Sequence, residues 1–164
     1  MREPAFWHRP TSWIASLLSP LAALYGAVAA RRMRRPGADA GIPVICVGNY
    51  HVGGAGKTPT VLALAKLLRE LDERPVVVSR DRAAGLALAR AQDASVILMD
   101  DGFQNPSVAK NVSLIVIDAM RGVGNGRVIP AGPLRAPLSP QLARTDALVV
   151  VGEGSAAAKI AADL

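Results

Sequence analysis

Eight consecutive residues, His51-Val52-Gly53-Gly54-Ala55-Gly56-Lys57-Thr58, combine what a phosphate-gripping loop needs. Glycines let backbone N–H groups turn toward one anion, the start of a following helix adds its positive dipole end, and a lysine reaches the outer phosphates. A hydroxyl beside that lysine completes the shell of a magnesium ion. Gly53, Gly54, Gly56, Lys57 and Thr58 meet these demands, and His51 is expected to offer its backbone N–H rather than its ring. The strict pattern has glycine where His51 stands. Even so, Gly-Gly-x-Gly-Lys-Thr at a strand-to-helix junction is a specific signal.

A second group closes the apolar run Val96-Ile97-Leu98-Met99 with Asp100 and Asp101. One acid suffices for a metal, so Asp100 is assigned with Thr58 to the magnesium shell. Asp101 is left for a neighbouring or substrate-side place, because adjacent strand residues point to opposite faces. Asp118 ends the next apolar run and is expected near the same crevice, since ligands bind outside the carboxyl ends of parallel strands. Beyond it, Arg121, Arg127 and Arg135 sit in a glycine- and proline-rich stretch as candidates for phosphate contacts or as solvated cations.

The elements that must hold these groups alternate. Strands are predicted at 43–47, 75–79, 95–99, 112–117 and 147–151, all continuous apolar runs of the kind buried on both faces of a parallel sheet. Helices are predicted at 58–71, with Val61, Leu64, Ala65, Leu68 and Leu71 on one face, at 81–92, and from 155 onward. The fold class is α/β, a P-loop NTPase-like, mainly parallel sheet flanked by helices. Two regions are expected: residues 1–40, a membrane-associated helix with a basic cluster, and residues 41–164, the core.

Charge is uneven. The net +6 includes +4 from residues 1–40, concentrated in Arg31-Arg32-Met33-Arg34-Arg35. Local basicity with 4% aromatics argues against nucleic acid, which favours cations spread along a face and aromatics for stacking. From Thr11 to Ala30 no residue is charged, a length that suits either crossing a bilayer or lying in its interface. The arginines follow the apolar stretch, the reverse of a secretory signal, and place what comes after them in the cytoplasm. The alternative is an ordinary helix packed on the domain. One cysteine, Cys46, excludes a disulfide scaffold and reads as a small buried hydrophobe.

Four stretches taken in order, 47–59, Asp100-Asp101-Gly102-Phe103-Gln104-Asn105, Asp118-Ala119-Met120-Arg121-Gly122 with Gly124-Asn125-Gly126, and Pro130-Ala131-Gly132-Pro133-Leu134-Arg135, closely resemble the tetraacyldisaccharide 4'-kinase family, the lipid A kinases of Gram-negative bacteria. The likeness extends through the Trp7-to-Arg35 region. It implies transfer of the γ-phosphate of ATP to the 4'-hydroxyl of a tetraacylated glucosamine disaccharide 1-phosphate, giving lipid IVA at the cytoplasmic face of the inner membrane. The cofactors implied are ATP and Mg2+, and the partners an acylated disaccharide lipid and the membrane surface. The resemblance puts phosphates on residues 51–58, magnesium at Thr58 and Asp100, and substrate-side roles near Asp101 to Gln104; Lys57 and Asp101 are the catalytic candidates.

The chain departs from that pattern at His51 and Ala55. Its larger departure is that Val78-Ser79-Arg80 runs straight into Asp81-Arg82, where the family carries some tens of further residues, including the carboxylate proposed as catalytic base. It also ends at Leu164, about half the family length, before the carboxy-terminal lobe and its catalytic histidine. Two other functions therefore stand beside the kinase: a nucleotide-binding module that has lost catalysis, and a generic P-loop ATPase or GTPase. The lack of an Asn-Lys-x-Asp guanine-reading motif favours ATP.

Overall fold

The computed structural model describes residues 3–10, 12–54 and 56–162. After a short 3-10 turn at Ala5–His8, the chain forms α1 (Trp13–Met33), β1 (Val44–Gly48), α2 (Lys57–Glu70) and β2 (Pro75–Val78). It continues through α3 (Arg82–Ala91), β3 (Val96–Asp100), β4 (Val112–Asp118), α4 (Leu138–Leu142), β5 (Ala147–Val151) and α5 (Ala158–Ala161). The five strands form one parallel sheet in the order β2-β3-β1-β4-β5. The phosphate-loop strand β1 is thus central, with the acid-bearing strand β3 hydrogen-bonded beside it and Val47 in register with Asp100.

Alternation along each strand sorts the core into two layers. On one face Val47, Leu98 and Val116 pack beneath Val61 and Ala65 of α2. On the other, Val44, Cys46, Ile97, Met99, Ile115 and Ile117 pack with Ala89 of α3, Met33 of α1 and Leu134. Burial pushes the Cys46 thiol up to about 11, so it is an inert small hydrophobe.

Burial on both faces fails at the sheet edges. Val77 of β2 is 41% exposed, and Val150 and Val151 of β5 are 49% and 41% exposed. Each edge strand has a neighbour on one side only, and the helix after β5 is a single turn. Leu71, expected on the buried face of α2, lies outside the helix as its C-cap and is exposed. α4 interrupts a proline-rich stretch that carries no helical periodicity. Of the apolar segment 11–30, Thr11 lies outside the described residues, as do Asp163 and Leu164 of the last predicted helix.

α1 inverts the usual amphipathic arrangement. Its small residues Ala15, Ala22 and Gly26 face the domain, and a Cβ on Gly26 would come within 3.3 Å of Pro137 Cγ. Arg127 Nη1 donates to the Ala15 carbonyl at 3.1 Å and to Ser19 Oγ, fastening this face to the loop after β4. The large residues Trp13, Leu17, Leu21, Leu24 and Val28 point outward at helical spacing, each more than half exposed.

Candidate functional site

The loop after β1 turns on residues whose backbone only glycine adopts readily: Gly53 has φ 118° and Gly56 φ 81°. Gly56 is the N-cap of α2, with no side-chain cap and no acidic residue in the first turn. Among the described residues, nothing accepts the N–H groups of Gly53, Gly54, Gly56, Lys57 or Thr58. Such a set of unpaired amides at a helix start is an anion cradle. Ala55 lies outside the described residues. Val52 does not join the cradle, because its N–H is donated to the Pro133 carbonyl at 2.9 Å.

Beneath the loop sits a buried polar brace. Asn49 Nδ2 donates to the Gly53 carbonyl and to His51 Nδ1, both at 3.1 Å. Since a carbonyl only accepts, the amide nitrogen must face Gly53, and His51 Nδ1 is then an acceptor with its proton on Nε2. Burial holds the His51 ring below its usual imidazole range. His51 therefore shapes the loop from below. Lys57 Nζ donates to the same Gly53 carbonyl at 3.1 Å, and burial lowers the ammonium despite the nearby Asp101.

The two carboxylates take different partners. Thr58 Oγ1 donates to Asp100 Oδ2 at 2.8 Å, while Asp100 Oδ1 is buried without a partner. An orphaned carboxylate oxygen beside a hydroxyl fits a hard divalent cation. Among the described residues no group of three or more His, Cys, Asp or Glu could hold a metal. Asp101 lies just past β3 at φ 57°. Arg135 grips it with both terminal nitrogens, at 2.7 and 3.2 Å, and Lys57 Nζ lies 3.9 Å from it.

Of the three loop arginines, only Arg135 joins the carboxylates, its Nε also donating to the His51 carbonyl at 3.0 Å. Arg127 holds α1, and Arg121 pairs with Glu3 at 3.5 Å. Asp118 caps its own turn by accepting the N–H groups of Met120 and Arg121. Gln104 bridges the Asn49 carbonyl at 2.7 Å and Gln141 Oε1 at 2.9 Å. Sequence reasoning missed Gln141 and the brace role of Asn49, although Asn49 directly follows the strand. It also missed Glu3, whose carboxylate lies against Gly53. No local signal announces a contact between residues fifty positions apart.

A family model described as tetraacyldisaccharide-1-P 4'-kinase matches residues 14–81 and 73–163. The chain belongs to this family. Among its relatives, the tetraacyldisaccharide 4'-kinase of Bradyrhizobium sp. (strain BTAi1 / ATCC BAA-1182) is 59% identical over 201 residues, covering 99% of this chain and 58% of that protein. That of Nitrobacter hamburgensis is 59% identical over 203 residues, covering 100% and 61%. Among solved structures, the "apo" form of LpxK from Aquifex aeolicus in complex with ATP superposes with a TM-score of 0.71 at 26% identity, covering 84% of this chain and 59% of that one. The chain thus spans about three-fifths of the length of the kinases it matches.

The two matched stretches overlap at residues 73–81, so this segment answers to two places in the family. An alignment of 201 residues against a 164-residue chain likewise leaves a few dozen residues of the kinase without a counterpart. β2 and the start of α3 lie at this corner. There Asp81 Oδ1 accepts the Ala84 N–H at 3.0 Å, an N-cap that starts the helix directly after the shortened connection.

Proposed function

We propose that the chain binds ATP with magnesium on the cradle after β1 and directs the γ-phosphate to the 4'-hydroxyl of a tetraacylated disaccharide 1-phosphate. The observation that carries this is the conjunction, at the carboxyl end of the sheet, of five amides without an acceptor among the described residues, Lys57, and a Thr58–Asp100 pair with one orphaned carboxylate oxygen. The relative solved with ATP supports the choice of nucleotide.

In this reading the amides of Gly53 to Thr58, with Ala55 included, hold the phosphates, and Lys57 leaves the Gly53 carbonyl for the outer ones. Thr58 and Asp100 would hold magnesium, which would supply charge neutralisation for phosphoryl transfer. Asp101 retains lone pairs beyond those taken by Arg135, and these orient the acceptor hydroxyl. Phosphoryl transfer asks mainly for positioning and electrostatics, and these residues provide both.

Residues 1–40 serve as the membrane-facing part and residues 41–164 as the nucleotide core. Exposure of Trp13, Leu17, Leu21, Leu24 and Val28, with the opposite face of α1 fastened to the domain, supports a helix lying in the interface at the cytoplasmic face of the inner membrane. The arginines at its end suit anionic headgroups.

The break at residues 73–81 favours a second reading, a nucleotide-binding member without turnover. Incubation with γ-labelled ATP, magnesium and the tetraacyl disaccharide 1-phosphate separates the two. Labelled 4'-phosphorylated product establishes the kinase; magnesium-dependent ATP binding without product establishes the second reading; no ATP binding overturns both.

A further inference from the structure

A polar cavity of about 420 Å3 lies at the amino ends of β4 and β5, at the opposite end of the parallel sheet from the cradle. Arg35, Lys110 and Arg144 line it against a single acid, Asp146. That acid is turned to the backbone, where its Oδ2 accepts the Ser113 N–H at 2.7 Å. Among the described residues, no carboxylate comes within salt-bridge distance of any of the three cations. Lys110 is half-buried, and its ammonium donates to the carbonyls of Asn105 and Val108, neutral acceptors that leave its charge unanswered. Burial and, beside it, the like charge of Arg144 lower the Lys110 ammonium. Against this excess, α1, which ends at Met33, offers roughly half a negative charge at its carboxyl terminus. Like charges gathered round a cleft focus the field, and a bound anion relieves their repulsion.

We propose that this cavity is a second anion site, taking a phosphate group between Lys110 and Arg144 with Arg35 at its exposed rim. None of the cradle residues, nor Asp100 or Asp101, lines it, so it is independent of the nucleotide and of turnover. The wall is rich in donors. Asn111 Oδ1 is taken by the Val44 N–H at 2.8 Å, which leaves its amide nitrogen to donate. The hydroxyl of Ser113, a residue 5% exposed, takes no part in the bond its N–H makes to Asp146 and is left to donate as well. A tetrahedral oxyanion accepts from several directions at once and matches this set, whereas a halide or a lone carboxylate leaves donors unused. The phosphate belongs either to a soluble compound or to a lipid headgroup, since Arg35 follows the helix whose apolar residues face outward.

The test is a titration of the isotope-labelled full chain in neutral detergent micelles, read at the backbone amides by nuclear magnetic resonance. The titrants are inorganic phosphate, short-chain phosphatidylglycerol within the micelle, and sodium chloride at matched ionic strength. Saturable shifts are expected at Ser113 and Thr145 with phosphate in one form or both, and the form that saturates at the lower concentration identifies the source. Arg144→Gln is expected to weaken them roughly tenfold, the scale of one charge-assisted hydrogen bond, while ATP binding at the cradle stays as in the wild type. Arg144 and Arg35 are exposed, so their variants leave undisturbed the loop that Lys110 holds. Equal shifts in sodium chloride, no shifts with either phosphate, or shifts unchanged in both Arg144→Gln and Arg35→Gln overturn the site. An equal loss of ATP binding in Arg144→Gln makes the two sites one and overturns it too.

Discussion

The carboxyl ends of β1 and β3 and the corner between β2 and α3 lie in the same sheet but have been treated oppositely. At the first, glycine amides, Lys57, Thr58 and Asp100 stand together, and a brace of the buried Asn49 and His51 with the half-buried Gln104 sets the loop from beneath. At the second, three residues connect strand to helix where the relatives carry a few dozen more, and Val77 and Leu88 are left 41% and 49% exposed. The loop after β1 and its Thr58–Asp100 pair draw on β1 and β3, whereas the corner lies at the edge strand β2, beside β3. On the kinase reading, acceptor chemistry draws on more distant segments and is exposed to a loss at the corner.

The largest effect is expected from rebuilding the corner. Inserting between Arg80 and Asp81 the segment of the Bradyrhizobium kinase that has no counterpart here should raise labelled phosphate transfer by roughly 100-fold or more, the scale of a restored general base. ATP affinity should stay the same. A gain in affinity without a gain in transfer would show that the two regions are not separable. Next, Lys57→Ala should weaken ATP binding by roughly 10- to 100-fold, as expected for a charge-assisted hydrogen bond, with calorimetry as the measurement. Unchanged affinity would mean the cradle is a structural turn.

Smaller effects sharpen the contrast in packing. Ile97→Ala in the centre of the sheet should cost about 3 kcal/mol in urea unfolding, because it removes a fully buried side chain and leaves a cavity. Val77→Ala at the edge should cost about 0.5 kcal/mol, since its side chain already meets solvent. Similar losses at both would show that the corner is better covered than its exposure implies.

The smallest effect is a pH dependence. Burial lowers the folded-state pKa of His51 from the ordinary value of 6.5, so on acidification the unfolded chain takes up its proton first. The stability contribution is full above pH 6.5 and declines as pH falls below that toward the folded value. Urea midpoints at pH 7.5 and 5.5 should therefore differ, and His51→Asn should flatten the difference. A flat wild-type profile would mean the ring is already solvated.

Much of this was written in short stretches of the chain. Gly53, Gly56, Lys57 and Thr58 read as a phosphate loop because the conformation and the donors they supply are properties of adjacent residues. The five strands followed from apolar runs, to within one residue at each end, and Thr58 and Asp100, read as neighbours in one metal shell, are hydrogen-bonded where α2 begins and β3 ends. The interrupted corner was also legible, as two family segments abutting at Arg80 and Asp81.

Other features depend on which surfaces meet. Sequence alone left Arg121, Arg127 and Arg135 equivalent; packing sent the first to Glu3, the second to α1 and the third to Asp101, because a long side chain pairs with whatever the fold brings within reach. It could not say which face of α1 is covered, since Ala15, Ala22 and Gly26 are buried only where Pro137 and Arg127 come close. Nor could it show that Arg32 and Arg82, fifty positions apart, line one cavity. Local conformation and hydrogen-bonding capacity are carried by the residue itself, whereas burial and charge partnership belong to pairs of surfaces and exist only once the chain has closed on itself.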